Sequence, residues 1–220
     1  MSLTTLRDRL LEKLTPPSDW SADARPARSD FDLNPGARSS GKALRPAAVL
    51  IPVIAGPEGA TVLMTRRSDS LASHTGQIAF PGGRLDPGET AVDAALREAF
   101  EEVALDPALV EVLGICDPYE TGTGFLVTPV VGWLRETPST TPSPAEVAEV
   151  FEVPWDFVMD PVNHRRDSYQ LEGQPERWFW AMPYQERYIW GATAGILRNL
   201  CARLYGDEAD RAAAAGEDAA

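Results

Sequence analysis

Apolar residues recur at helical spacing in three parts of the chain. Near the N-terminus four leucines fall on one face of a helix and two prolines follow them, which predicts an amphipathic helix over residues 4–14. Residues 90–104 and about 190–205 are predicted to form two longer helices. Thr90 and Asp93 have the spacing of a capping box, so we expect the middle helix to begin there.

Runs of apolar, partly β-branched residues alternate with these helices. Residues 47–54 and 61–65 flank a Gly-Pro-Glu-Gly turn, which predicts a β-hairpin. Further strands are predicted at residues 77–80, 110–116, 125–134 and 177–182. Because no regular strand–helix–strand repeat connects them, the pattern favours an α/β fold with a mixed sheet packed between helices over a doubly wound parallel sheet.

The remaining segments divide the chain into three predicted parts. Residues 18–45 are rich in proline, serine, arginine and aspartate without periodicity, which indicates a covering arm. Residues 1–45 are therefore assigned to the N-terminal helix and arm, and residues 46–206 to the principal domain. Residues 207–220 contain only alanine, glycine and charged residues and are predicted to be disordered.

Composition excludes several classes of function. The net charge of -13 argues against nucleic-acid binding, which requires a basic surface. Two distant cysteines indicate neither a disulfide framework nor a zinc cluster. No apolar run is long enough to span a membrane, so a cytoplasmic protein is predicted. A phosphorylated small molecule could still bind if cations or clustered arginines offset the negative field.

Three carboxylates share one face of the predicted helix at residues 90–104. Glu98, Glu101 and Glu102 stand at positions i, i+3 and i+4, so their side chains can converge. Hard oxygen ligands attract Mg²⁺ or Mn²⁺. Arg97 can pair with Glu101 or reach back to Glu89. Such acidic faces are more often simply solvated, so the helix alone does not establish a metal site.

The spacing around this helix is more specific. Gly82 and Gly83 precede it, and the pair permits unusual dihedrals and a close backbone approach. Gly83, five residues, Glu89, seven residues, Arg97-Glu98, two residues and Glu101-Glu102 together resemble the signature box of the Nudix hydrolases. Ala99 and Ala104 depart from the usual box, in which a bulky aliphatic residue and a glycine stand.

The resemblance implies a Nudix-type α/β/α sandwich with a loop–helix–loop catalytic element. It also implies that Mg²⁺ or Mn²⁺ is bound by Glu98, Glu101, Glu102 and the carbonyl of Gly82, with Gly83 and Glu89 supporting the box. Glu98, Glu101, Glu102 and Arg97 are thus the predicted catalytic residues.

A segment upstream of the box, residues 63–83, resembles the additional motif of the coenzyme A diphosphatase branch of the family, although Ala72 stands where that motif has arginine. Residues 187–193 resemble a C-terminal stretch of the same branch. The implied reaction is hydrolysis of the diphosphate bond of coenzyme A, or of its derivatives, to 4'-phosphopantetheine and 3',5'-ADP. The predicted substrate contacts are Arg66, Arg67, His74 and Arg84.

Several choices stay open at this level. The general base could be Glu98 or Glu101, or an acid outside the box such as Glu120. The family often has a further acid outside the box, and the candidates for it are Asp117, Glu120, Glu146, Glu149 and Glu152. Aromatic residues at 178–184 could stack on adenine or fill the core. Another nucleoside diphosphate derivative, such as ADP-ribose, or a nucleoside triphosphate could be the substrate, and a non-catalytic binding module is a further alternative. The oligomeric state is not predicted, with a homodimer as one option.

Overall fold

The fold was taken from a computed structural model, which describes residues 1–34, 36–37, 43–68 and 76–206. Its central element is a mixed sheet built on the long strand β2. The strands of this sheet are β1 (Arg28–Ser29), β2 (Arg45–Gly56), β3 (Gly59–Arg67), β4 (Ile78–Ala79), β5 (Gly82–Arg84), β6 (Glu111–Ile115), β7 (Tyr119–Glu120), β8 (Phe125–Leu134) and β9 (Val147–Pro154). Their main order is β1-β7-β8-β2-β3-β4, with β5 paired to β2, β6 to β8 and β9 to β3.

Strand β2 positions the residues that matter below. It runs parallel to β8 and antiparallel to both β3 and β5. Most of its central residues are buried because both faces of the sheet are covered, which explains their nearly continuous apolar sequence. The short strand β5 places Gly82 opposite Val49 and Gly83 opposite Ala48.

Helices cover the two faces of the sheet. They are α1 (Leu3–Lys13), α2 (Ala91–Val103), α3 (Trp155–Val158) and α4 (Ala192–Tyr205). Helix α2 packs its small residues, such as Ala94 and Ala95, against Ala48 and Leu50. On the opposite face, α1 and α4 pack against alternate residues of β2, such as Ile51. The predicted α/β/α sandwich is thus confirmed.

A second, three-stranded sheet lies beside the C-terminal helix. It consists of β10 (Arg165–Tyr169), β11 (Arg177–Tyr184) and β12 (Arg187–Trp190) in antiparallel order. Sequence patterns indicated only β11. Strand β10 is largely exposed and polar, so it carries no period-two apolar signal. Strand β9 was missed because acidic residues interrupt the buried positions Val147, Phe151 and Val153.

The N-terminal arm is tied to the rest of the fold in its described part. β1 pairs with β7, and Asn34 bridges the backbone of Trp178 by donating to its carbonyl and accepting from its N–H, at 2.8 and 2.9 Å. The predicted division at residues 45 and 206 remains a prediction, and residues 207–220 lie outside the described residues. In the described part of the chain, no helix is long and apolar enough to cross a membrane.

Candidate active site

The ends of α2 fix the helix that carries the carboxylates. Thr90 accepts a hydrogen bond from the backbone of Asp93, and the Asp93 carboxylate accepts one from the backbone of Thr90. The capping box is therefore confirmed. The helix ends at Ala104, which has a left-handed backbone with φ of 55°. Glycine avoids the strain that Cβ causes there, which explains the glycine usual at this box position.

The three glutamates of α2 differ in their surroundings. Glu102 is buried, with 5% of its surface exposed, whereas the Glu101 side chain is 55% exposed. The Glu98 side chain is 17% exposed and lies on the same inward face as Glu102, one turn away. Two of the three predicted ligands thus point into the protein, and Glu101 stands at the rim.

Gly82 and Gly83 bring backbone directly against these carboxylates. The N–H of Gly82 donates to Glu102 Oε2 at 3.4 Å. A Cβ at Gly83 would lie 2.2 Å from Glu98 Oε1, and one at Gly82 would lie 2.4 Å from the carbonyl oxygen of Ala48. Neither glycine has a positive φ. The expected unusual dihedrals are therefore not the reason for the glycines, and the close approach is.

Burial disfavours the ionised forms of Glu98 and Glu102. Desolvation, followed by the charge of Glu98, raises the pKa of Glu102 to about 8. Desolvation likewise raises the pKa of Glu98, against the opposing effect of Arg97. Two adjacent buried carboxylates need a positive counter-charge to be ionised together. The donor set of carboxylate and backbone oxygens suits a hard divalent cation.

The carboxylates do not form a closed metal cage by themselves. Across the described ranges, no three His, Cys, Asp or Glu side chains are grouped closely enough to hold an ion. Glu98 and Glu101 both accept hydrogen bonds from Arg97 Nη1, at 2.9 and 3.1 Å. Cation binding by all three glutamates would therefore require Glu101 to turn from Arg97 toward Glu102.

Arg97 holds the box together. Its guanidinium donates to both carboxylate oxygens of Glu89, at 2.7 and 3.0 Å, and to the carbonyl of Arg84 at 3.0 Å. The sequence left open whether Arg97 pairs with Glu101 or Glu89; it pairs with both, and with Glu98. Glu89 also accepts from the backbone of Asp86. Arg97 thus positions the loop and the carboxylates.

The predicted substrate contacts are distributed unevenly. Arg66 is paired with Glu149 at 3.5 Å. The positive charge of Arg67 acts on Glu102 and is among the smaller influences on the pKa of that carboxyl, which it lowers. Its Nε is buried without a hydrogen-bond partner among the described residues. Arg84 lies beside the ring of Phe125, and His74 lies outside the described residues.

One of the acids outside the box approaches the site. The charge of Glu146 acts on both Glu98 and Glu102, raising the pKa of each. Two of the other acids are tied to cations: Glu149 pairs with Arg66 and Arg187, and Asp117 with Arg203. Glu146 is exposed and stands next to the start of β9. Of the five candidate acids, Glu146 is the one whose charge acts on both buried carboxylates.

A cavity of about 490 Å³ lies on the other side of the glycines. Val49, which pairs with Gly82, and Phe80 contribute to its wall. The rest of its wall comes from the arm, the loop at residues 121–123, the three-stranded sheet and the start of α4. The aromatic side chains that line it are Phe31, Phe80, Tyr169, Trp178, Phe179 and Trp190. Sequence patterns gave no sign that the arm takes part, because its contacts are distant in the chain.

Position distinguishes this cavity from others of similar size. Cavities of about 500 and 490 Å³ lie beside Cys201 and Leu109, and neither is lined by the box or its glycines. The glycines do not line the aromatic cavity either, but among these three cavities of the described residues it is the one lined by Val49, which pairs with Gly82. We therefore consider it together with the carboxylates, from which the sheet and the glycines separate it, as a second part of the candidate site.

Comparisons with known proteins agree with this geometry. The family profile described as NUDIX domain matches residues 44–171. The chain belongs to the Nudix family and is a Nudix hydrolase. It is 38% identical over 190 residues to the "Uncharacterized Nudix hydrolase NudL" of Pectobacterium atrosepticum, covering 86% of this chain and 97% of that protein. The protein of the same description from Photorhabdus laumondii is 44% identical over 163 residues, covering 73% and 85%.

A solved structure is also similar. The Nudix hydrolase RenU of M. smegmatis shares 29% identity, with a TM-score of 0.46, over 58% of this chain and 80% of that one.

Proposed function

We propose that this Nudix hydrolase cleaves the diphosphate bond of coenzyme A or its derivatives with Mg²⁺ or Mn²⁺, giving 4'-phosphopantetheine and 3',5'-ADP. The observation that carries the proposal is the pair of buried carboxylates, Glu98 and Glu102, packed against the backbone of Gly82 and Gly83. The resemblance of residues 63–83 to the coenzyme A diphosphatase motif supports this particular substrate.

In this proposal Glu98, Glu101, Glu102 and the carbonyl of Gly82 hold the cation. The cation supplies the positive charge that offsets both the buried carboxylates and the diphosphate. Arg97 keeps Glu98 in place and fixes the loop through Glu89. Arg67, whose charge acts on Glu102 and whose buried Nε has no hydrogen-bond partner among the described residues, donates to a phosphate oxygen of the substrate.

Glu146 is proposed as the general base. It lies near the two buried carboxylates without belonging to the helix, and no hydrogen bond or ion pair engages its carboxylate in the described part of the chain. A carboxylate that does not hold the cation keeps more of its proton affinity. Glu146 would accept the proton of the water that attacks phosphorus.

The aromatic cavity is proposed to receive the adenosine end of the substrate. Trp178 and Tyr169 expose 42% and 47% of their surface and line the cavity, so their rings are available for stacking on a base. Gln77, Asn34 and Gln174 add polar groups to the same wall. The glycines then lie between the cavity, which holds the base, and the carboxylates. The diphosphate of the substrate would lie beside the glycines.

The test is product analysis by mass spectrometry with coenzyme A and Mg²⁺ or Mn²⁺, beside Glu102→Gln. We expect masses of 4'-phosphopantetheine and 3',5'-ADP from the wild type. Loss of a metal ligand removes several kcal/mol of charge stabilisation, so kcat/KM should fall by about 10³-fold in the variant. The matched control is Glu136→Gln, an exposed glutamate at the end of β8, which should keep full activity.

Folding of the variant is checked in metal-free buffer. Because Glu102 is buried beside Glu98, replacing it with a neutral amide should leave the melting temperature unchanged or raise it. Faster turnover of ADP-ribose than of coenzyme A would replace the substrate assignment. Absence of hydrolysis of any such diphosphate, with no effect of Glu102→Gln, would establish a binding module instead.

A further inference from the structure

Two arginines contact the same aromatic ring beside the glycines. The guanidinium carbon of Arg45 lies 3.9 Å from the ring centre of Phe125, and that of Arg84 lies 5.5 Å from it. Both side chains belong to exposed residues. In the part of the chain that the structure describes, neither guanidinium is paired with a carboxylate. The two positive charges are therefore uncompensated, in a protein with a net charge of -13.

Local hydrogen bonding orients Arg45 without neutralising it. One of its terminal nitrogens, Nη2, donates to the carbonyl of Thr123 at 2.9 Å. The contact with Phe125 holds the plane of the guanidinium by a cation–π interaction. Among the described residues the bond to Thr123 is the one hydrogen bond of the exposed Arg45 side chain, and the planar fork of its other donors matches the oxygens of a phosphate group.

The arginine pair lies at one end of the candidate site. Arg84 follows the two glycines directly and faces Ala47 across the sheet, two residues from Arg45 on β2. Two residues of a strand span about 7 Å. On β8, Phe125 precedes Val127 by two residues, and Val127 lines the aromatic cavity. Phe125 packs on the same core cluster as Val49 and Val127, so the pair is on the cavity face of the sheet.

We infer that Arg45, together with Arg84, binds a phosphomonoester that the substrate carries apart from the bond that is cleaved. This inference rests on the proposed function, in which that group is the 3'-phosphate of coenzyme A. Gly83 pairs with Ala48, three residues from Arg45 on β2, so Arg45 stands about 10 Å along the strand from the glycines beside which the diphosphate is proposed to lie. Arg45 is then a specificity-determining residue, and the catalytic carboxylates are unaffected by it.

The experiment compares coenzyme A with dephospho-coenzyme A, which lacks the 3'-phosphate. Kinetics are measured for the wild type, Arg45→Ala, Arg45→Lys and the matched control Arg135→Ala, an exposed arginine at the end of β8. The wild type should prefer coenzyme A, and Arg45→Ala should lower the ratio of the two kcat/KM values by roughly ten-fold or more. The change should appear mainly in KM for coenzyme A. Arg45→Lys should retain part of the preference, and Arg135→Ala all of it.

A ratio that is unchanged in Arg45→Ala, or a wild type without preference, would overturn the inference, as would equal losses on both substrates. A binding measurement without turnover distinguishes failure of this inference from failure of the proposed function. By calorimetry, the wild type should bind 3',5'-ADP more tightly than 5'-AMP, and Arg45→Ala should lose the difference. If the wild type hydrolyses neither coenzyme, the calorimetric comparison alone decides the role of Arg45.

Discussion

The two sides of the Gly82–Gly83 backbone are built in contrasting ways. On one side, the carboxylates and Arg97 come from a single continuous segment, residues 82–102, and are held by short-range hydrogen bonds. On the other side, the cavity is assembled from the arm, the loop at residues 121–123 and the three-stranded sheet. In the proposed function, the carboxylates that hold the cation therefore come from one segment, whereas the cavity for the organic part of the substrate depends on contacts between distant parts of the chain.

The strongest way to test the carboxylate side is Gly83→Ala. The new Cβ would meet Glu98 Oε1 at 2.2 Å, so the Glu98 side chain must move away. A displacement of about 1 Å in a catalytic group can cost about 10²-fold in rate, and we expect kcat to fall by at least that factor. Gly36→Ala, where the Cβ has no neighbour within 4 Å, is the control and should have wild-type kcat. Full activity in Gly83→Ala would show that Glu98 need not approach the backbone.

Arg97→Lys tests whether positioning on this side depends on the guanidinium fork. A lysine keeps the charge but cannot contact both oxygens of Glu89 together with Glu98. Residues that orient metal ligands typically contribute 10–100-fold, so we expect roughly ten-fold lower activity and a higher Mg²⁺ requirement in a metal titration. Arg203→Lys removes a comparable cluster of hydrogen bonds far from the box and should not change the Mg²⁺ requirement.

Asn34→Ala tests the cavity side. The variant loses the two hydrogen bonds to Trp178 that hold the arm against the three-stranded sheet. At about 0.5–1.5 kcal/mol for each of the two bonds, KM for coenzyme A should rise by at least about five-fold, with kcat little changed. Asn163→Ala loses one side-chain bond to the backbone of Phe157 instead and serves as the control. A fall in kcat at unchanged KM would contradict the separation of the two sides.

The smallest effect is expected at Ala104, where stability changes and chemistry does not. Ala104→Gly relieves the left-handed backbone at the end of α2, so the free energy of unfolding should rise by about 1 kcal/mol. Ala202→Gly, inside α4, should lower it by about as much. Chemical denaturation of both variants checks the opposite signs, and a destabilised Ala104→Gly would be inconsistent with strain at this residue.

This contrast also explains what the sequence could predict. The hairpin of β2 and β3 and the capped helix α2 follow from local periodicity and turn residues, and the structure confirms them. The spacing of Gly83, Glu89 and Arg97 gives the box because all its members are close in the chain. The role of the glycines was only half predicted, since their closeness to Ala48 and Glu98 depends on tertiary packing.

The residues on the cavity side show no sequence pattern that would predict their roles. Asn34 lies in a segment without periodicity and acts on Trp178, which is 144 residues away. Arg45 opens a strand, where a charged residue is unremarkable by itself. Glu146 was one of five open choices, and its position became informative only through the charges around Glu98 and Glu102. Contacts of this kind require the folded chain.

The bond between the arm and Trp178 has a consequence for how such a protein diversifies. The part of the chain that matches the family profile begins at residue 44, after Asn34. A wall of the cavity therefore lies outside the segment that carries the chemistry. Under the proposed function, mutations in the arm would alter which organic group fits, while the box would continue to cut the same kind of bond. Substrate range and reaction type would then evolve separately.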